Sequence, residues 1–119
     1  MTRLRLRQLA WLAGCAVCAA CSGREPGARA TLLDPAHPFA PRPADAAVPI
    51  FPARGPECAY LAIGTVTAER RGPLPSRETT LAMAREARRI GGEAIVGLGG
   101  SGSLLAGTVI RFRDSTCTR

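Results

Sequence analysis

Five cysteines are the residues of this 119-residue chain best suited to chemistry, and they fall into two groups. Cys15, Cys18 and Cys21 form a C-x2-C-x2-C run, which is the spacing of part of an iron–sulfur ligand set. No fourth ligand follows at a suitable spacing, and the run lies in apolar sequence, so we expect no cluster there. Cys58 and Cys117 bound the part of the chain that has strand and helix patterns.

The other motifs predict no catalytic or cofactor site. Gly97-Leu-Gly-Gly-Ser-Gly102 matches G-x-G-x-x-G but precedes a strand pattern, whereas a dinucleotide site needs this motif to open a helix. Ser101 and Ser103 have no candidate base at a suitable spacing, and the single histidine, His37, lies in a proline-rich segment. Two cysteines and no histidine beyond residue 56 are too few for zinc. We therefore expect no catalytic residue, no metal and no cofactor.

Residues 1–20 have the pattern of a secretory signal peptide. Arg3, Arg5 and Arg7 precede the apolar stretch Leu9–Ala20, which is too short for a bilayer-spanning helix of about 20 residues. A buried N-terminal helix is the alternative interpretation. Removing these residues leaves 13 basic against 9 acidic side chains, so the formal charge of +7 falls to +4. Because the remaining charge is thinly spread, we expect no nucleic-acid partner.

The end of this segment resembles the lipobox of bacterial lipoproteins, in which small residues precede a cysteine. Cys18-Ala-Ala-Cys21 leaves an apolar stretch of normal length before the cleavage site. Leu12-Ala-Gly-Cys15 fits the motif better but leaves only about six apolar residues before the cleavage site. The resemblance implies that Cys21 receives a diacylglyceryl group and becomes the N-terminus, with Cys15 as the alternative. The acyl chains then attach the protein to the membrane.

Residues 21–56 are predicted to comprise the lipidated cysteine and a proline-rich linker. Eight of the ten prolines lie between Ser22 and Pro56. Because proline removes amide donors and fixes φ, we expect a polyproline-like or disordered chain. A linker of this length reaches roughly 30–35 Å as a flexible coil, enough to lift a domain clear of the bilayer. The alternative interpretation of this segment is that His37, Phe39 and Phe51 contact a partner.

Residues 57–117 are predicted to form a small α+β domain, with 118–119 as a tail. The expected order is β-α-β-β, with one helix packed on a three-stranded sheet. The strands are expected at about 58–67, 93–98 and 104–113, and Gly99–Ser103 is interpreted as a flexible hairpin connection.

The helix of this domain is predicted from Arg77 to Ile90. Ser76 is the expected N-cap, and Gly91 and Gly92 end the helix. Its arginines are expected to face solvent. The residues expected to face the sheet are Thr80, Met83, Ala84, Ala87 and Ile90.

The two cysteines of the domain are predicted to pair. Cys58 opens the first strand and Cys117 follows the last, so the two sulfurs lie at the same end of the sheet if these strands are antiparallel neighbours. An exported domain of this size with few aromatic residues also needs a covalent cross-link. Two free thiols are the alternative.

The order of these features resembles small outer-membrane lipoproteins of Gram-negative bacteria. The resemblance rests on the proline-rich segment, Cys58-x-x-Leu-x-x-Gly-x-Val66, Ala87-Arg-Arg-Ile-Gly-Gly-Glu-Ala-Ile-Val96 and the final Cys117. The group includes uncharacterised families and the envelope-stress sensor lipoprotein of the Rcs phosphorelay, which has two disulfides where this domain can form one.

The resemblance implies a non-catalytic periplasmic domain that is held on the outer membrane and acts by contacting an envelope protein. Surface exposure and the inner membrane are alternative locations. The alternative function is a ligand-binding or small hydrolase accessory protein that uses the glycine-rich segment 99–103.

Overall fold

The computed structural model describes residues 27–51, 55–70, 76–114 and 117. The predicted signal peptide, the candidate lipidation sites Cys15 and Cys21, and the tail 118–119 lie outside these ranges. The described residues form one helix and one five-stranded mixed sheet, so the predicted α+β class is confirmed. The elements are β1 (Ala28–Leu32), β2 (Ile50–Phe51), β3 (Tyr60–Glu69), α1 (Arg77–Arg89), β4 (Ala94–Ser101) and β5 (Leu104–Phe112).

The strands lie in the order β1-β3-β5-β4-β2. The last strand in the sequence, β5, is therefore the middle strand of the sheet, and it pairs antiparallel with both β3 and β4. On the two edges, β1 pairs antiparallel with β3 and β2 pairs parallel with β4. Because β3 and β4 are parallel, α1 serves as the crossover between them.

The prediction of a three-stranded sheet is wrong, because β1 and β2 both come from the predicted linker. The sheet has five strands, and the expectation of a polyproline-like or disordered chain fails for residues 27–51. The prolines are accommodated because the remaining amides find specific acceptors, for example Leu33 N–H on the Ile63 carbonyl (2.9 Å) and Arg42 N–H on the Arg88 carbonyl (2.9 Å). β2 is a two-residue edge strand, a position that tolerates neighbouring prolines.

The predicted limits of α1 agree with the structure. Ser76 is the N-cap, and its hydroxyl accepts a hydrogen bond from Thr79 N–H (3.2 Å). The helix ends before Gly91, whose φ of +89° is the left-handed conformation that glycine adopts readily. The predicted inner stripe is wrong at one position, since Thr80 is half-buried and its hydroxyl donates to the Arg77 carbonyl. The residues of α1 that are buried are Thr79, Ala82, Met83, Ala84 and Ala87.

Segment 99–103 is not a flexible connection. Gly99 and Gly100 belong to β4 and pair with Ala106 and Leu105 of β5, so only residues 102–103 form the turn. Just before them, the register shifts between Val96 and Gly99, and two residues of β4 face one residue of β5. Such a bulge bends the strand locally.

The main core lies between α1 and one face of the sheet. Met83 and Ala87 of the helix pack on Val66, Ile95 and Val109 of the sheet, and all five are fully buried. Small side chains on the helix allow it to approach the strands closely, as the sequence pattern predicted.

The free edge of β1 is capped by two side chains of α1. Ala30 N–H donates to Glu86 Oε1 (3.1 Å), and the Ala30 carbonyl accepts from Arg89 Nη2 (2.8 Å). Arg89 Nε also donates to Glu86 Oε2 (3.0 Å), so the two side chains form one unit. They occupy backbone groups that a neighbouring strand would otherwise pair with, which protects this edge from association.

The protonation of Glu86 affects this cap. Burial acts to raise the pKa of Glu86, but the hydrogen bonds from Arg89 and from Ala30 N–H, with the charges of Arg89 and Arg29, outweigh burial and lower it. A carboxyl group whose pKa is lowered by folding stabilises the folded state at neutral pH. That contribution is lost as the pH falls below about 4, through the pKa of the folded state.

Glu86→Gln is expected to lower the free energy of unfolding by about 1 kcal/mol at neutral pH, because charge-assisted hydrogen bonds become neutral ones. The difference from wild type should shrink as the pH falls through the lowered pKa of Glu86 in the folded state, because the wild-type carboxylate then becomes protonated. Urea unfolding followed by circular dichroism measures both effects. Glu69→Gln, which changes an exposed carboxylate of β3, is the control. A difference that stays constant with pH would contradict the assignment.

Candidate functional site

The face of the sheet opposite α1 carries a second, smaller core. Ala94, Val96 and Ile110 are buried there, and Phe51 and Phe112 pack against them. Gly55 also lies on this face, against Tyr60 and Val96. The second face is therefore covered by chain segments without a helix, and this leaves room for a cleft.

The predicted disulfide between Cys58 and Cys117 is confirmed. The Cα atoms of the two cysteines are 6.0 Å apart. The predicted reason also holds, because Tyr60 near the start of β3 pairs with Phe112 at the end of β5. The bond joins a residue that precedes β3 to one that follows β5.

A half-open cleft of about 510 Å³ lies beside this disulfide. Its apolar side chains come from the segment before β2, from β2 itself and from the end of β5. Two charged residues, Arg42 and Glu93, complete it. The lining residues are Arg42, Ala47, Val48, Pro49, Phe51, Glu93, Phe112 and Cys117.

Both charged groups of the cleft are held in place by the backbone. Arg42 Nη1 donates to the carbonyl oxygens of Gly92 (3.0 Å) and Ala47 (3.2 Å). Glu93 Oε1 accepts from Phe112 N–H (3.1 Å), while Glu93 N–H donates to the Ile110 carbonyl. These bonds leave further donors on the guanidinium and a second carboxylate oxygen for a bound molecule. An apolar cleft with a few fixed polar groups is typical of binding sites.

A second cavity, of about 450 Å³, lies at the end of α1 and is lined by Ala44 and four arginines: Arg42, Arg85, Arg88 and Arg89. Three of these arginines were expected to face solvent from the helix. Arg42, which the sequence placed in the linker, joins them because its N–H donates to the Arg88 carbonyl.

Phe39 and His37, which the sequence also offered as partner contacts, make contacts within the domain. Phe39 packs against the main core, and the Arg111 guanidinium lies 5.1 Å from the centre of its ring. His37 Nδ1 is 2.8 Å from Asp34 Oδ2 at an exposed turn. None of the cavities above is lined by residues 99–103. In the part of the chain that the structure describes, no group of three or more His, Cys, Asp or Glu residues could hold a metal.

Sequence reasoning missed the cleft itself. Phe51 was named only as an alternative partner contact in the predicted linker, and no spacing pattern joins it to Arg42, Glu93 and Phe112. The one available signal was Cys117, whose partner brings the two chain segments over the second face.

The described residues thus form a small, disulfide-bonded α+β domain with an amphipathic cleft beside the disulfide and an arginine-lined cavity at the end of α1. Comparison of the chain with protein-family models, with curated proteins and with solved structures finds no match. Within the described ranges, no helix has the length and apolar character needed to cross a membrane.

Proposed function

We propose that this chain is a lipid-anchored, non-catalytic binding protein of the Gram-negative cell envelope, which recognises an envelope protein through the cleft of Arg42, Phe51, Glu93 and Phe112. Cys21 carries the lipid, with Cys15 as the alternative, and the domain faces the periplasm from the outer membrane. This proposal joins the lipoprotein resemblance of the N-terminal segment to the cleft of the folded domain.

The observation that carries the binding role is the combination of this cleft with an adjoining sheet edge. Phe51 lines the cleft and also belongs to β2, the last strand on its side of the sheet. A partner segment that adds to an edge strand gains main-chain hydrogen bonds, while pockets select its side chains. On the opposite edge, Glu86 and Arg89 already occupy Ala30 of β1. The edge at β2 is therefore the candidate for a partner segment, and its two residues between Pro49 and Pro52 can add only a few main-chain hydrogen bonds to the recognition in the cleft.

The chemistry of the cleft defines the partner segment. Its apolar side chains suit one aliphatic or aromatic residue, and the fixed guanidinium and carboxylate suit flanking residues of opposite charge. We therefore expect an extended segment in which an apolar residue lies between an acidic and a basic one.

A photo-crosslinking residue at Ala47 tests this function in the full-length protein in cells. Ala47 is exposed and lines the cleft, so p-benzoylphenylalanine at this position should yield one discrete adduct with an envelope protein. Leu81, which is exposed on α1, is the matched position for the same probe and should yield none. Glu93→Gln keeps an acceptor for Phe112 N–H but removes the charge, and should reduce the Ala47 adduct several-fold.

The same adduct from both positions, or an Ala47 adduct that Glu93→Gln leaves unchanged, would contradict recognition through the cleft. Normal membrane attachment with no adduct would leave the lipid anchor in place and overturn the binding role.

A further inference from the structure

The two ends of the sheet carry different features. One end, the hairpin end, holds the turn at residues 102–103 where β4 passes into β5. Ala28, the first residue of β1, lies near this turn, because it pairs with Ala68 and Ala68 pairs in turn with Leu105. The described part of the chain therefore enters the sheet at the hairpin end.

The charged groups of the cleft lie at the opposite end of the sheet. Phe112 is the last residue of β5, and Glu93 directly precedes β4, where its N–H donates to the Ile110 carbonyl (2.8 Å). Arg42 donates to the carbonyl of Gly92, beside Glu93. Along β5, Phe112 lies seven residues beyond Leu105. At about 3.3 Å per residue, roughly 23 Å of strand thus separates this end of the cleft from the level at which β1 begins.

The proposed lipid anchor is close to the hairpin end. Residues 22–27 alone separate Cys21 from Ala28. A chain of this length spans at most about 25 Å when it is fully extended. To lay the cleft on the bilayer, the domain would have to hold Ala28 roughly 23 Å above the membrane, which uses almost the whole extended length. Because full extension costs conformational entropy, the orientation with the hairpin end toward the membrane is favoured.

An exposed apolar side chain also lies at the hairpin end. Leu104 directly follows the turn, and 50% of its surface is exposed. An apolar side chain gains free energy when it leaves water, so this position suits contact with the membrane interface. The length of the connection carries the orientation, and Leu104 adds a contact at the end that the connection brings to the membrane.

We propose that the hairpin end of the sheet rests on the membrane that holds the protein, so that the cleft opens away from this membrane into the periplasm. This orientation rests on the lipid anchor of the proposed function. It also restricts the partner. The segment that enters the cleft then belongs to a domain that reaches it from the periplasmic side, and not to a loop at the surface of the same membrane.

Quenching of a fluorescent residue by phospholipids with spin-labelled head groups tests this orientation. The lipidated protein is reconstituted into vesicles with a coumarin amino acid in place of Leu104 or of Asp45. Asp45 is exposed and lies two residues before Ala47 of the cleft. We expect quenching to be several-fold stronger at position 104 than at position 45. Equal quenching at the two positions, or stronger quenching at position 45, would overturn the proposal.

Lengthening the connection is the matched control. Insertion of about 20 glycine and serine residues between Gly23 and Arg24 lets either end of the domain reach the membrane, so most of the difference should disappear. A difference that survives the insertion would overturn the proposal, because the connection would not be its cause.

The mass of the purified protein reports the lipid separately. A protein without acyl groups would overturn the lipid anchor and this orientation together. If the lipidated protein shows the expected quenching but yields no Ala47 adduct in cells, the orientation stands and the binding role fails.

Discussion

Replacing both Cys58 and Cys117 by serine is expected to lower the free energy of unfolding by about 4 kcal/mol. The disulfide closes a loop with a sequence separation of 59 residues, and a loop of this size gives that figure in the chain-entropy model. Small domains have a net stability of about 5–15 kcal/mol, so the loss removes a large part of it. Urea unfolding of the wild type and the double variant, followed by circular dichroism, measures the difference.

The effect should extend to the cleft, because Cys117 lines it and Cys58 holds the segment over the second face of the sheet. We therefore expect the double variant to lose the Ala47 adduct together with its stability. Wild-type protein treated with a reductant is the matched control, since it breaks the same bond without changing a residue. A stability change below about 1 kcal/mol would mean that the cross-link does little to constrain the unfolded chain.

Replacing Cys21 by serine is expected to abolish lipid attachment completely. Each buried methylene of an acyl chain contributes about 0.8 kcal/mol, and two or three chains anchor a protein far more firmly than one. The variant should therefore show no incorporation of labelled palmitate and should be recovered in the soluble fraction. Globomycin, which blocks the lipoprotein signal peptidase, should leave the wild-type precursor uncleaved.

Cys15→Ser separates the two candidate sites. If Cys21 is the lipidated residue, Cys15→Ser leaves palmitate labelling unchanged, because Cys15 is removed with the signal peptide. The opposite pattern would assign the lipid to Cys15. Labelling that survives both substitutions, or wild-type processing that continues in globomycin, would contradict the lipoprotein class.

The features of the fold that were predicted correctly are marked by local signals in the sequence. Ser76 and Gly91 marked the two ends of α1, and the pairing of Cys58 with Cys117 followed from where they stand relative to the strands. These predictions rest on capping, backbone conformation and loop closure, which depend on few residues.

The parts that were missed depend on contacts distant in sequence. β1 has the sequence Ala-Arg-Ala-Thr-Leu and buries only Ala30, so its pattern is too weak to reveal a strand. The segment nevertheless forms a strand, because β3 pairs with its backbone on one side. On the other side, the side chains of Glu86 and Arg89 bond to Ala30. The cleft could not be predicted from the sequence for the same reason. Its lining residues lie between positions 42 and 117 and meet only in the assembled sheet.

The place of β5 in the sheet determines when this protein can fold. Leu104–Phe112 is synthesised after every other strand, yet β3 and β4 both take it as their neighbour. A ribosome that has made the first hundred residues holds a chain in which β3 and β4 have no β5 between them, so the sheet cannot close before that point. Pairings of this kind are also slow to form, because distant segments must meet first. The strand order thus delays closure of the sheet until Leu104–Phe112 has been made, so β3 and β4 wait for the neighbour that they share.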